Sequence, residues 1–221
     1  MTRHHGRLFL LCGTLLAGAF PALALAANPK VKIETSLGNI VVELDKEKAP
    51  ISTENFLSYT RDKFYDGTVF HRVAPTFMIQ GGGYDPEINE KMSGLHPPIK
   101  NEWQNGLKNT RGTIAMARTT APDSATAQFF INVVDNANLD QPISGGAGYA
   151  VFGKVVEGMD VVDKIKDTPT QNHPKYPGGK VVPVTTVLIK SVTLVGGDAP
   201  TEGKDKPAPK DAKETKEPKK E

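Results

Sequence analysis

Alternating apolar and polar residues indicate β-strands along most of the chain between residues 27 and 195. The segment VKIETSLGNIVVELD alternates, breaks at residues 36–39 and alternates again, which predicts a β-hairpin. Further strands are predicted at residues 68–74, 77–80, 112–117, 128–134, 151–156 and 186–195. The pattern therefore predicts about eight strands.

Two segments have apolar residues at helical spacing instead. APISTENFLSYTRDKF has Pro50 near its start, and its apolar face consists of Ile51, Phe56, Leu57 and Tyr59. The second segment is GMDVVDKIKD, whose apolar face consists of Met159, Val162 and Ile165. Residues 83–110 and 167–183 are predicted to be ordered surface loops. Because strands and helices do not alternate regularly, an antiparallel barrel with two helices is favoured over a parallel α/β sheet.

The first 26 residues have the pattern of a signal peptide. Arg3 and Arg7 form a basic start, residues 8–20 are apolar, and Ala24-Leu25-Ala26 is typical of a cleavage site. The alternative is a membrane anchor, but the apolar run is shorter than the roughly 20 residues needed to span a bilayer. We therefore expect cleavage after Ala26, secretion and no stable membrane insertion.

The other end of the chain has a different composition. Residues 197–221 contain seven lysines and seven acidic residues among Pro, Ala and Gly, and no large apolar residue. Such a segment buries too little apolar surface to offset its ordering entropy, so we predict a disordered tail. A tether to the cell envelope is the functional alternative. The folded domain is then expected at residues 27–196.

Charge and cysteine content narrow the class of function. The chain has 27 basic and 25 acidic residues, and loss of the first 26 residues would remove two arginines and no acid. A mature chain without net charge is not typical of a nucleic-acid-binding protein. The single cysteine, Cys12, lies in the same leader. The mature chain therefore has no disulfide, no thiolate nucleophile and no cysteine-ligated metal.

Strand alternation separates the polar residues of two strands from the core. In AQFFINV, Gln128 and Phe130 point to one face, and Phe129 and Ile131 point to the other. One face should fill the barrel, and the other should line an apolar groove that keeps a polar amide. Arg72 leaves its own strand on the face opposite His71 and Val73, and an unpaired charge would be costly in the core.

Three segments carry a resemblance to a known family. FHRVAPTFMIQGG, GTIAMAR…SATAQFFINV and GYAVFGKVVEGMDVVDKI resemble, in order and separation, the signature segments of the cyclophilin family of peptidyl-prolyl isomerases. The similarity covers nearly all of residues 30–195 and is greatest to the bacterial periplasmic branch. It implies a mainly β fold, a closed eight-stranded antiparallel barrel capped by two α-helices. It also implies catalysed rotation of X-Pro bonds, periplasmic location, proline-containing unfolded or partly folded polypeptides as partners, and no cofactor or metal.

The resemblance also assigns roles to residues of this chain. Arg72 would be catalytic, the proline pocket would consist of Phe77, Met78, Phe130 and Leu139, and Gln80 and Gln128 would hold the peptide backbone. The groove beside them would be lined by Ala117, Arg118 and Thr119. Tyr149 stands where a pocket histidine is frequent, and Asn138 stands where many eukaryotic members have tryptophan. We expect catalysis to survive both changes, and weak or no binding of cyclosporin.

Other functions fit the residues less well. The mature chain has only His71, His96 and His173, without the close spacing of a metal site, and no G-x-S-x-G segment of a serine hydrolase is present. The main alternative is a non-catalytic chaperone or scaffold that holds proline-containing chains in the same groove. Arg72 favours the enzyme, because a pure binder does not require it. By analogy with the family, we expect a monomer.

Overall fold

The computed structural model describes residues 27–196, so the predicted signal peptide and the predicted tail lie outside the described residues. The ten strands are β1 (Lys30–Thr35), β2 (Gly38–Leu44), β3 (Phe70–Ala74), β4 (Met78–Gly81), β5 (Thr113–Met116), β6 (Phe129–Asn132), β7 (Val151–Glu157), β8 (Thr170–Gln171), β9 (Val182–Pro183) and β10 (Ile189–Val195). The helices are α1 (Pro50–Arg61), α2 (Met159–Lys166) and a short 3₁₀-helix (Ala137–Asp140). All the longer strands and both α-helices lie where the sequence predicts them.

Eight strands form one antiparallel sheet in the order β10-β1-β2-β7-β5-β6-β4-β3. The sheet curls until its edge strands approach at one end, where Val69 and Leu188 form an isolated bridge. The N–H of Ile189 also donates to the carbonyl of Thr68 at 2.7 Å. No ladder joins β3 to β10 within residues 27–196. The prediction of a closed barrel is therefore wrong: the fold is a curled, partial barrel.

The first turn of helix α1 is capped by a carboxylate from a loop that is distant in sequence. Glu102 accepts hydrogen bonds from the backbone N–H groups of Ile51, at 3.0 Å, and Ser52, at 2.8 Å. The first N–H groups of a helix have no partner inside the helix, and the positive end of its dipole favours an anion. Glu102 therefore both caps α1 and attaches the predicted loop at residues 83–110 to the domain.

Both α-helices bury one face against the sheet. Phe56 and Tyr59 of α1 and Val162 and Ile165 of α2 are fully buried. Removing side chains of this size from water stabilises the fold by about 1.5–3 kcal/mol each. Ile51 departs from the predicted face, because it lies in the first turn of α1 and is 41% exposed.

Strand β6 separates two apolar clusters, as its alternation predicts. Phe129 and Ile131 belong to the main core, whereas Phe130 belongs to a second, smaller cluster with Met78 and Leu139. The smaller cluster underlies the candidate active site.

The predicted loop at residues 167–183 contains a small hairpin, because β8 and β9 pair with each other outside the main sheet. The N–H of Val73 in β3 donates to the carbonyl of Val181 at 2.7 Å, which attaches this hairpin beside β3. None of the helices in residues 27–196 is long and apolar enough to cross a membrane.

Candidate active site

Strand register brings residues from four strands into one row. Arg72 of β3 lies opposite Gln80 of β4, Gln80 lies opposite Phe130 of β6, and Phe130 lies opposite Ala115 of β5. Side chains of directly paired residues share one face of a sheet. The row therefore places a cation, an amide and an aromatic ring side by side on the face that the sequence predicts for a groove.

A cavity of about 240 Å³ opens above this row. Its lining residues are Arg72, Phe77, Met78, Gln80, Ala117, Arg118, Phe130, Leu139, Tyr149 and Tyr176. The floor is apolar, because Met78, Phe130 and Leu139 are all at least 96% buried. Nine of the eleven predicted site residues line this cavity; Gln128 and Thr119 do not.

The polar wall of the cavity is a chain of hydrogen bonds with a fixed direction. Arg72 Nη1 donates to Gln80 Oε1 at 3.3 Å, and Gln80 Nε2 donates to Gln128 Oε1 at 2.9 Å. Gln128 is thus coupled to the cavity through Gln80. Gln80 accepts from Arg72 and donates to Gln128, so the donors at the two ends of the chain are the other N–H groups of Arg72 and the amide nitrogen of Gln128, and Gln80 Nε2 keeps one further N–H. Both ends of the chain can therefore donate to a peptide carbonyl.

Arg72 has no carboxylate partner among residues 27–196, because none of their ion pairs includes it. Its guanidinium carbon lies 5.9 Å from the ring centroid of Phe77, at the edge of the apolar floor. The half-buried cation is thus held beside the apolar slot without being neutralised.

Thr119 lies outside the cavity because its hydroxyl is used in its own turn. Its side chain donates to Ser124 Oγ at 2.8 Å, and its backbone N–H donates to the same oxygen at 3.0 Å. Thr119 is exposed and contributes to the shape of the loop beside the groove.

Arg118 supports the wall opposite Arg72. Its guanidinium donates to the carbonyls of Gly148 at 3.0 Å, Ala147 at 2.6 Å and Ser144 at 2.9 Å, and its carbon lies 4.4 Å from the ring centroid of Tyr149. This side chain joins three backbone carbonyls of the segment at residues 144–148. Arg118 therefore positions Tyr149, whose ring packs at 77° against Phe130.

A buried amide network behind the cavity joins two of its walls. Asn136 donates to the carbonyl of Phe77 at 2.8 Å and to Asn132 Oδ1 at 2.7 Å, and Asn132 donates to Asn109 Oδ1 at 3.1 Å. Asn109 donates in turn to the carbonyl of Tyr149 at 3.1 Å. Fully satisfied buried networks of this kind favour one arrangement of the groups they join.

His71 lies behind Arg72 at a β-bulge, since Phe70 pairs with Gly81 and Arg72 pairs with Gln80. The bulge removes His71 from the main core and packs its ring 4.2 Å from that of Tyr84. The pKa of His71 is lowered to about 3, mainly by burial and to a smaller extent by the charge of Arg72, while a contact with the Val69 backbone opposes this in part. Neither ring nitrogen makes a hydrogen bond of normal geometry within the described part of the chain. His71 is therefore neutral at physiological pH.

Gln128 fits beside the cavity only because residue 83 is glycine. A Cβ atom at Gly83 would overlap Gln128 Cγ and would lie 2.5 Å from its Cδ and 2.7 Å from its Nε2. We expect Gly83→Ala to displace this amide and to lower kcat/KM by about 3- to 10-fold, the equivalent of one lost hydrogen bond. Peptide isomerisation kinetics measure this change.

The matched control is Gln128→Ala, alone and combined with Gly83→Ala. If the glycine acts through Gln128, adding Gly83→Ala to Gln128→Ala has no further effect. Independent, additive losses would contradict this assignment.

Sequence reasoning missed four residues around the cavity: Tyr176, Asn109, Asn132 and Asn136. Asn132 could have been identified from the sequence, because an asparagine interrupts an otherwise apolar strand. Tyr176 could not have been identified in this way, because it lies in a loop without a periodic pattern. A larger cavity, of about 360 Å³, lies beside β2, β5 and β7 and contains none of the predicted residues.

The sequence profile of one family, described as cyclophilin type peptidyl-prolyl cis-trans isomerase/CLD, matches residues 30–194. The chain belongs to the cyclophilin-type peptidyl-prolyl cis-trans isomerases. This membership decides between the two remaining classes of function in favour of the enzyme.

Curated relatives with the same activity are similar to this chain over nearly their whole length. The chain is 54% identical over 184 residues to a peptidyl-prolyl cis-trans isomerase of Acinetobacter baylyi, covering 80% of this chain and 94% of the relative. It is 53% identical over 166 residues to peptidyl-prolyl cis-trans isomerase B of Escherichia coli, covering 74% and 98%. The matched region contains the complete row from Arg72 to Ala115.

Among solved structures, the fold is similar to a cyclophilin-type isomerase of Cryptosporidium parvum crystallised in the presence of the dipeptide Ala-Pro. The TM-score is 0.61 at 24% identity, over 76% of this chain and 99% of the other. This similarity supports the cyclophilin fold.

Proposed function

We propose that this isomerase accelerates X-Pro rotation in folding secreted or periplasmic proteins, by non-covalent stabilisation of the twisted amide. The periplasmic location is supported by the signal-like pattern of Arg3, Arg7 and Ala24-Leu25-Ala26. Release of the protein by osmotic shock would support this location, and recovery with cytosolic proteins would contradict it.

The reaction needs no covalent chemistry. An X-Pro bond is held planar by resonance with a barrier of about 18–20 kcal/mol. Its isomers are close in energy but interconvert over tens to hundreds of seconds. In the half-rotated amide, resonance is lost and the proline nitrogen becomes pyramidal and basic. A catalyst must bind this state more tightly than either planar isomer.

The observation that carries the proposal is the position of Arg72, unpaired by any carboxylate of residues 27–196, at the edge of the apolar slot. Its guanidinium stays charged, can hold the prolyl carbonyl oxygen and can donate toward the pyramidal nitrogen. Met78, Phe130 and Leu139 grip the ring while the preceding carbonyl rotates. Lowering the barrier by about 7 kcal/mol would accelerate rotation roughly 10⁵-fold.

The two glutamine amides support binding of a peptide backbone. Gln80 and Gln128 would hold the backbone along the hydrogen-bonded chain that begins at Arg72. The Cryptosporidium relative was crystallised in the presence of Ala-Pro, which fits a ligand of the X-Pro class for this fold.

The experiment that tests the folding role is refolding of a protein whose slow phase is limited by prolyl isomerisation. We expect catalytic amounts of this isomerase to accelerate that phase in proportion to enzyme concentration, because each molecule turns over repeatedly. A slow phase that responds only to stoichiometric protein would indicate a binder and would contradict the proposal.

Two partner properties stay predictions. We propose weak cyclosporin binding, because Asn138 beside Leu139 is an exposed amide where tryptophan-containing relatives place an aromatic ring. We also propose, by analogy with the family, that the isomerase acts as a monomer.

A further inference from the structure

Tyr176 lies in the loop between β8 and β9 and lines the same cavity as Arg72. It is half-buried, and it belongs to none of the segments that carry the family resemblance. Tyr176 therefore adds a phenol group to the end of the cavity where Arg72 lies.

The ring of Tyr176 is held by two aromatic neighbours. It packs edge-on against Tyr84, with centroids 5.7 Å apart at 84°, and against buried His71, at 5.4 Å and 63°. Arrangements of this geometry are favourable between aromatic rings. The position of Tyr176 is thus coupled to the strand that carries Arg72.

The loop around Tyr176 is also anchored. Lys175 Nζ donates to Asn89 Oδ1 at 2.7 Å and to the carbonyl of Glu87 at 3.2 Å. The N–H of Tyr176 donates to the carbonyl of His173 at 3.0 Å. These contacts hold the side chain over the cavity before any peptide binds.

The hydroxyl of Tyr176 makes no hydrogen bond to another of residues 27–196, and it is not one of their buried, unpaired polar atoms. It is therefore accessible, on a residue that lines the cavity. Burial raises the pKa of Tyr176, and the charge of Arg72 opposes this in part. The phenol is therefore a neutral donor at physiological pH.

The order Arg72, Gln80, Gln128 along the polar wall indicates which part of a bound peptide Tyr176 would contact. If Arg72 holds the prolyl carbonyl and Gln128 holds the backbone before proline, the chain leaves the slot past Arg72. Tyr176 lies at this end.

We propose that Tyr176 binds the residue that follows proline, its hydroxyl donating to the backbone carbonyl of that residue and its ring packing on the side chain. The inference rests on the proposed mechanism, and it adds a specificity-determining residue from outside the family motifs.

The test compares wild type, Tyr176→Phe and Tyr176→Ala on two peptides, Ala-Ala-Pro-Phe-amide and Ala-Ala-Pro-amide. Cis–trans exchange followed by NMR over a range of peptide concentrations gives KM and kcat. We expect Tyr176→Phe to raise KM for the longer peptide by about 3- to 10-fold, since one hydrogen bond is lost. Tyr176→Ala should raise it further, with kcat within about twofold, because the contact is made equally in the planar and twisted states. KM for the peptide that ends at proline should not change.

Lys180→Ala, an exposed change in the same loop, is the matched control and should leave both peptides unaffected. An unchanged KM for the longer peptide in both tyrosine variants would overturn the inference, as would equal increases for the two peptides. If wild type accelerated neither peptide, the proposed function itself would fail. An active wild type with indistinguishable tyrosine variants would overturn only the role of Tyr176.

Discussion

Replacing Arg72 by alanine is expected to lower kcat/KM for an X-Pro peptide by about 10²–10³-fold, the loss that follows removal of one preorganised donor from a reacting centre. The guanidinium beside Phe77 is available to a peptide because it forms no ion pair among the described residues. Peptide isomerisation kinetics measure the change. Thermal unfolding should alter little, because Arg72 contributes one 3.3 Å hydrogen bond, to Gln80.

Two matched variants separate charge from geometry. Arg72→Lys keeps the charge but loses the planar fork, so we expect intermediate activity. Arg61→Ala removes an exposed arginine paired with Glu54 on α1 and should leave activity unchanged. Full activity in Arg72→Lys would mean that a point charge is sufficient, which would contradict a catalytic role for the planar fork.

Acid is expected to destabilise the fold through His71. Its pKa is about 3 in the folded protein and 6.5 in the unfolded chain, so the unfolded chain binds the extra proton between these values. Stability from this group is therefore complete above pH 6.5 and decreases as pH falls toward 3. Between pH 7 and pH 4.5, the free energy of unfolding should fall by roughly 2–3 kcal/mol from His71 alone.

The measurement is urea unfolding at pH 7 and pH 4.5 for wild type and His71→Gln. Carboxylates with lowered pKa values, such as Asp163 beside Arg111, also weaken the fold in acid, but equally in both proteins. The variant should lose less stability on acidification than wild type by about the amount stated. Equal pH dependence in the two proteins would show that His71 is not buried as a neutral ring.

Alternation in β6 was sufficient to predict which residues face the core and which face the groove. Phe129 and Ile131 enter the main core, and Phe130 lines the cavity, because a strand has only two faces. The same reasoning placed Arg72 outside the core. Local pattern determines these positions, so the sequence alone is informative there.

Features that depend on distant segments were not predictable in this way. The capping of α1 by Glu102 joins residues about fifty positions apart, and the bulge at His71 depends on the register of β3 against β4. Closure of the barrel was overstated, because strand count does not determine whether edge strands pair along their length. Tyr176 reaches the cavity only through the placement of a loop.

The most direct test of the central claim follows a peptide while it is bound. NMR exchange spectroscopy under saturating enzyme gives the rate at which bound X-Pro peptide interconverts between cis and trans. If Arg72 acts on the half-rotated amide, Arg72→Ala should bind the peptide within about tenfold of wild type yet slow the bound exchange by about 10²-fold or more. Bound exchange as fast as in wild type would contradict the account, because the slot could then rotate the bond without the guanidinium.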